Sequence, residues 1–66
     1  MPLGTVHEET GLVVESRGRL YLRTPEGGHW ELEASRKVRA LLGLRVRLEG
    51  VRVSFDGLSV ASIERI

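Results

Sequence analysis

Residue types that support catalysis or metal binding are few in this chain, and their spacing does not bring them together. The 66 residues include two histidines, His7 and His29, one aspartate and no cysteine. His7 precedes Glu8 and Glu9, but neighbouring side chains of a strand point to opposite faces and cannot all reach one metal ion. No serine lies in a nucleophile-elbow sequence, and no glycine-rich segment matches a phosphate-binding loop. We therefore expect no enzymatic activity, no metal and no cofactor.

A binding chemistry fits the arginines better. Tyr21 lies between Arg19 and Arg23 at a spacing of two, so the three side chains share one face of a strand. Aromatic rings stack on nucleobases and guanidinium groups neutralise phosphates, which makes this a candidate surface for single-stranded nucleic acid or a protein partner. The alternative is a solvated sheet face with cross-strand ion pairs. Three further arginines on the outer face of the fourth predicted strand complete the candidate contacts: Arg45, Arg47 and Arg52.

Composition limits the class of protein. Lys and Arg total 10 and Asp and Glu total 9, so no strongly basic balance favours nucleic acid. The hydrophobic share of 41% predicts a folded chain, and no apolar run is long enough for a membrane span. We expect one domain over residues 1–66, without a signal peptide, in the cytoplasm. Nine Arg, one Lys and no Asn or Gln indicate either a heat-adapted source or a GC-rich genome.

Hydrophobic periodicity predicts five strands and one helix. Period-two segments cover residues 12–15, 19–24, 29–33, 44–55 and 58–66, with a β-bulge at Gly50. Between the third and fourth of these segments, residues 35–43 predict a helix of about two turns that begins at a Ser35 N-cap and ends at Gly43. The predicted connections are a three-residue loop at 16–18, a five-residue loop at 24–28 and a two-residue turn at 56–57. Residues 1–10 form either a frayed start or the first half of a strand bent at Gly11.

The order strand, strand, strand, helix, strand, strand predicts an all-β fold, an OB-fold-like Greek-key barrel. Residues 42–50, Leu-Gly-Leu-Arg-Val-Arg-Leu-Glu-Gly, resemble a segment common in small bacterial OB-fold proteins of uncharacterised function. Residues 58–63 resemble the barrel-closing strand of the same group. The resemblance covers most of residues 11–66 and implies the fold, while it names no activity. An SH3-like or Sm-like barrel is the alternative.

Hairpin geometry then predicts how the charges are distributed. The three-residue first loop pairs Glu15 with Arg19 and Val14 with Leu20, and the second hairpin brings Glu33 opposite Arg19. Arg19 is then flanked by two carboxylates, so the face that OB-folds use for ligands is charge-paired.

The charge-paired face leads to two hypotheses about function. The first is a non-catalytic binding module that acts through protein contacts or as a homo-oligomer. The alternative is weak, sequence-tolerant binding of single-stranded nucleic acid through Tyr21 and the arginines of the strand face. In this register Trp30 and Phe55 both belong to the apolar side of the sheet, and neither hypothesis involves a membrane.

Overall fold

A computed structural model describes residues 4–33 and 35–66, which form five strands and one short helix. The elements are β1 (Val6–Ser16), β2 (Arg19–Arg23), β3 (His29–Leu32), α1 (Arg36–Ala40), β4 (Arg45–Arg52) and β5 (Gly57–Arg65). The strands close into a barrel in the order β1-β2-β3-β5-β4, with β3 and β5 parallel and the other pairs antiparallel. The predicted small all-β barrel of five strands, with one short helix between its third and fourth strands, is confirmed.

The long strand β1 pairs with two different neighbours. Residues 6–12 pair with β4, and residues 12–16 pair with β2. Gly11 lies where the partner changes, and a Cβ atom at this position would collide with the backbone carbonyl oxygen of Arg23. Of the two alternatives for the start of the chain, a long first strand that continues through Gly11 is confirmed from residue 6 onward, and residues 1–3 lie outside the described residues.

The core consists of alternate strand residues and one helix residue. Its fully or nearly fully buried side chains are Val13, Leu20, Leu22, Leu32, Val38, Val46, Leu48 and Leu58. Val38 enters the core from α1, whose predicted N-cap is confirmed because the Ser35 hydroxyl oxygen accepts the Val38 N–H at 3.2 Å. The helix is shorter than predicted and ends at Ala40. Trp30 lies against the core as predicted and is partly buried. Among the described residues, no helix has the length and apolar character needed to cross a membrane.

The first hairpin differs from its predicted register by one residue. Its loop is the two-residue turn Arg17-Gly18, in which both residues have positive φ (53° and 77°). Such turns match the twist of the flanking strands better than the predicted three-residue loop does. Ser16 therefore faces Arg19 and Val14 faces Tyr21.

The shifted register also changes which side of β1 is buried. Val13 is fully buried, whereas Leu12 is 38% exposed. Glu15 follows Val13 at a spacing of two and shares its side of the strand, away from the outer surface of β2. The prediction that Glu15 pairs with Arg19 is therefore wrong.

The second hairpin and the bulge agree with prediction, while the last turn does not. Residues 20–23 of β2 pair with 29–32 of β3 as expected, and the β4–β5 register shifts between Glu49 and Gly50. The last connection is the four-residue loop 53–56 rather than a two-residue turn. The Arg52 guanidinium donates to the carbonyl oxygens of Ser54 (3.0 Å) and Phe55 (2.7 Å) in this loop. Phe55, predicted on the apolar side, is 87% exposed.

Candidate functional site

Outward side chains of four neighbouring strands form a surface that we call the basic face. In the row that crosses the sheet, Arg45 of β4 lies opposite Leu12 of β1, Leu12 opposite Arg23 of β2, and Arg23 opposite His29 of β3. Beside it run the rows Val14–Tyr21–Glu31 and Ser16–Arg19. With the adjoining turn, the basic face comprises Leu12, Val14, Ser16, Arg17, Arg19, Tyr21, Arg23, His29, Glu31 and Arg45.

The centre of the basic face is the outward row of β2. Arg19, Tyr21 and Arg23 alternate with the buried Leu20 and Leu22, which is the period-two pattern that the sequence predicts. The half-buried Tyr21 ring packs edge-on against His29, with ring centroids 5.6 Å apart and planes at 81°. An open groove of about 440 Å³ follows this surface and is lined by Val14, Ser16, Tyr21, Arg23, Gly27 and His29.

The cations of this face are largely uncompensated. Arg19 contacts Glu31 through Nη1 and Oε2 at 3.5 Å, and both side chains are solvent-exposed, so the pair is weak. Arg17, Arg23 and Arg45 contact no carboxylate within residues 4–33 and 35–66. The neutral Val14 and Ser16 occupy the adjoining strand. The predicted charge-paired face is therefore wrong on its β1 side.

The two carboxylates predicted beside Arg19 are held elsewhere. Glu15 accepts a hydrogen bond from Nη1 of Arg39 on α1 at 3.0 Å. Glu33 accepts a hydrogen bond from the Ser59 hydroxyl of β5 at 3.4 Å. The one-residue change of register turns Glu15 toward the helix, and β3 already ends at Leu32, before Glu33. Both acids are thus removed from the candidate site.

Two of the six predicted contact residues lie outside the basic face. Arg47 of β4 donates from Nη2 (2.6 Å) and Nε (3.1 Å) to one carboxylate oxygen of Glu64. These hydrogen bonds, together with the negative charges of Glu64 and Glu8, raise the pKa of Arg47 above its ordinary value. Arg52 holds the loop 53–56, and its guanidinium carbon lies 6.0 Å from the Trp30 ring centroid and 5.7 Å from that of Phe55. The structure brings together the other four, Arg19, Tyr21, Arg23 and Arg45.

Among the members of the basic face that were not predicted as contacts, Arg17 adds a cation and His29 adds an aromatic ring. Arg17 belongs to the turn that precedes Arg19. An interpretation of residues 17–18 as a two-residue turn would have predicted the position of Arg17 beside Arg19. His29 contacts Tyr21, and the correctly predicted pairing of Arg23 with His29 contained this information.

The acidic and histidine residues near the start of β1 do not form a metal site. His7 and Glu9 share one side of the strand, with 3.8 Å between Nδ1 and Oε2, while the His7 ring packs against Trp30 at a centroid distance of 5.1 Å. Glu8 points to the opposite side. Across the described part of the chain, no three histidine, aspartate or glutamate side chains converge in a way that could hold a metal ion.

Comparison with known proteins gives a family without an assigned role. A family model described as a protein of unknown function, DUF5818, matches residues 10–66, which include the whole basic face. No curated protein and no solved structure matches the chain. Because the family model covers well over half of its length, the chain belongs to the DUF5818 family of proteins of unknown function.

Proposed function

We propose that the protein is a non-catalytic module that binds single-stranded nucleic acid weakly, with little sequence preference, on its basic face. One observation carries this proposal: the row Arg19, Tyr21, Arg23 projects outward beside a strand that offers Val14 and Ser16 rather than carboxylates. A row of this kind combines a stacking ring with flanking cations.

The charges account for affinity without sequence preference. Four arginines and one glutamate project from the basic face, in a chain whose net charge is only +1. Each phosphate that an arginine neutralises releases condensed counterions, so binding strengthens at low salt. Such contacts carry no sequence information, because the phosphate backbone is the same for every base.

Tyr21 accounts for a preference for single strands. Stacking of one base on an aromatic side chain contributes about 1–3 kcal/mol and accepts every base. In a duplex the base faces are occupied by neighbouring bases, so the ring has nothing to stack on. The resemblance to small bacterial OB-fold proteins supports a bacterial source, and a cytoplasmic location is part of the same proposal.

The test measures fluorescence anisotropy of a labelled, mixed-sequence single-stranded 12-mer at low salt. We expect Tyr21→Ala to weaken binding about 5- to 100-fold, in line with the loss of one stacked base. Tyr21→Phe keeps the ring and should bind like the wild-type protein, which separates stacking from any loss of folding. Absence of an anisotropy change with the wild-type protein, or equal binding by Tyr21→Ala, would overturn the proposal.

Protein contact or homo-oligomerisation, the first of the two hypotheses from the sequence, is the second candidate function here, and a separate observation favours it. The loop 53–56 presents two apolar side chains to solvent, Val53 at 55% and Phe55 at 87% exposure. Arg52 holds this loop through its two carbonyl contacts, so the apolar tip is ordered. Light scattering at high protein concentration tests it: a larger particle that Phe55→Ser returns to a monomer supports it, and a strict monomer contradicts it.

A further inference from the structure

Arg23 and Arg45 flank the same residue from two sides. Leu12 of β1 pairs with Arg23 of β2 and with Arg45 of β4. Neighbouring strands are about 4.8 Å apart, so the backbones of the two arginines are about 10 Å apart. Both arginines are exposed and project from the outer surface, above a neutral side chain. Their long, flexible stems allow the two guanidinium groups to approach one ligand over Leu12.

The surface between these arginines is a groove separate from the one beside Tyr21 and His29. Among the residues that line it are Thr10, Gly11, Leu12, Arg23, Thr24 and Arg45. Gly11 adds no side chain to the floor, and no aspartate or glutamate lines the groove. Neither guanidinium contacts a carboxylate in the described ranges 4–33 and 35–66. The groove therefore combines two guanidinium groups that contact no carboxylate in the described ranges with a lining that contains no aspartate or glutamate.

We infer that Arg23 and Arg45 form a phosphate-binding subsite over β1. A guanidinium presents paired N–H donors that match phosphate oxygens, and two of them hold an oxyanion more firmly than one. This inference rests on the proposed function, because the phosphate it assigns is a phosphodiester of the strand that stacks on Tyr21. The bound strand then runs across the barrel from β2 over β1 to β4.

The experiment measures binding of the single-stranded 12-mer by the wild-type protein, Arg45→Gln and Arg47→Gln. Arg47 is the matched control, because it lies on the same strand two residues away, loses the same charge and is paired with Glu64. We expect Arg45→Gln to weaken 12-mer binding about tenfold and to reduce the salt slope by about 0.7, as the loss of one phosphate contact predicts. Arg47→Gln should stay within twofold of the wild-type affinity and leave the salt slope unchanged.

Three results separate failure of the subsite from failure of the proposed function. If Arg45→Gln binds the 12-mer like wild type while Tyr21→Ala does not, the subsite is wrong and the proposed function stands. If the wild-type protein binds no oligonucleotide, the proposed function fails, and titration with inorganic phosphate tests the subsite alone. Backbone amide shifts confined to residues near Leu12, Arg23 and Arg45 then support a site for free phosphate, and unchanged shifts overturn it.

Discussion

Two outer surfaces of this barrel each carry one arginine of β4, and these two arginines have different neighbours. Arg45 belongs to the basic face. Two residues later, Arg47 belongs to what we call the paired face, formed by the outward residues Glu8, Arg47, Glu49 and Glu64. Arg45 lies opposite Leu12, whereas Arg47 lies opposite Glu64 and donates two hydrogen bonds to it. The cross-strand neighbour decides whether each arginine is free or paired.

The comparison explains how a chain of net charge +1 acquires a strongly charged surface. The basic face carries four arginines and one glutamate, and the paired face carries three glutamates and one arginine. Charges on two different parts of a surface cancel in the total but not in the local field that a ligand meets. Composition alone therefore underestimates the ability of such a protein to bind an anion.

Charge reversal on the two faces gives the largest expected effect. The double variant Arg19→Glu/Arg23→Glu places two repelling carboxylates beside Tyr21, and we expect it to weaken binding of the single-stranded 12-mer by about a hundredfold at low salt. Arg47→Glu changes the charge of the paired face and should change binding less than threefold. Anisotropy titrations measure both, and circular dichroism checks that each variant is folded. Equal losses from the two surfaces would break the comparison, because net charge alone would then control binding.

Local patterns in the sequence were sufficient for some elements of the fold. The β2–β3 register follows from two alternating strands around a glycine-rich loop, since a slip by one residue exposes Leu20 and Leu22. The bulge follows from the phase change at Gly50. Ser35 lies just before the helical stripe, as an N-cap requires. In each case the deciding residues are neighbours along the chain.

The β1–β2 register was not predictable in the same way. Leu12, Val13 and Val14 are consecutive apolar residues, so periodicity does not indicate which side of β1 enters the core. Both Ser16-Arg17-Gly18 and Arg17-Gly18 are acceptable loops on local grounds. The choice follows from the barrel, where β1 must also pair with β4 and the Arg23 backbone lies close against Gly11. The predicted register is important for the candidate site, because it wrongly places Glu15 beside Arg19.

The candidate site was predictable only where it lies within one strand. The spacing of Arg19, Tyr21 and Arg23 is sufficient to place them on one face. The pairing of β1 with β4 is non-local, so the sequence does not distinguish Arg45, which lies near Arg23, from Arg47, which is paired on another face.

Substitution of Arg17 should have a smaller effect on binding, and it also tests how this residue affects the stability of the fold. It has a φ of 53°, a conformation in which asparagine and glycine are favoured over other residues. We expect Arg17→Asn to raise the free energy of unfolding by about 0.5–1 kcal/mol and the melting temperature by about 2–6 °C. The same variant should bind the 12-mer about threefold more weakly, because a cation of the basic face is lost.

Arg17→Lys is the control for that prediction, because it keeps the charge as well as the unfavourable backbone conformation. It should match the wild-type protein in both melting temperature and binding. If Arg17→Asn stabilises the protein without weakening binding, Arg17 does not contact the bound strand. The proposal for the rest of the basic face would be unaffected.

The pair Glu15–Arg39 gives the smallest expected effect and tests the register on which the comparison depends. Both side chains are partly exposed, so a double-mutant cycle with Glu15→Gln and Arg39→Gln should give a coupling free energy of about 0.2–1 kcal/mol. Glu15→Gln should leave nucleic-acid binding within twofold, because this carboxylate is turned toward the helix. In the register with a three-residue first loop, Glu15 lies beside Arg19, and its neutralisation would strengthen binding. A clear gain in affinity together with zero coupling to Arg39 would therefore restore a charge-paired face and remove the difference between the two surfaces.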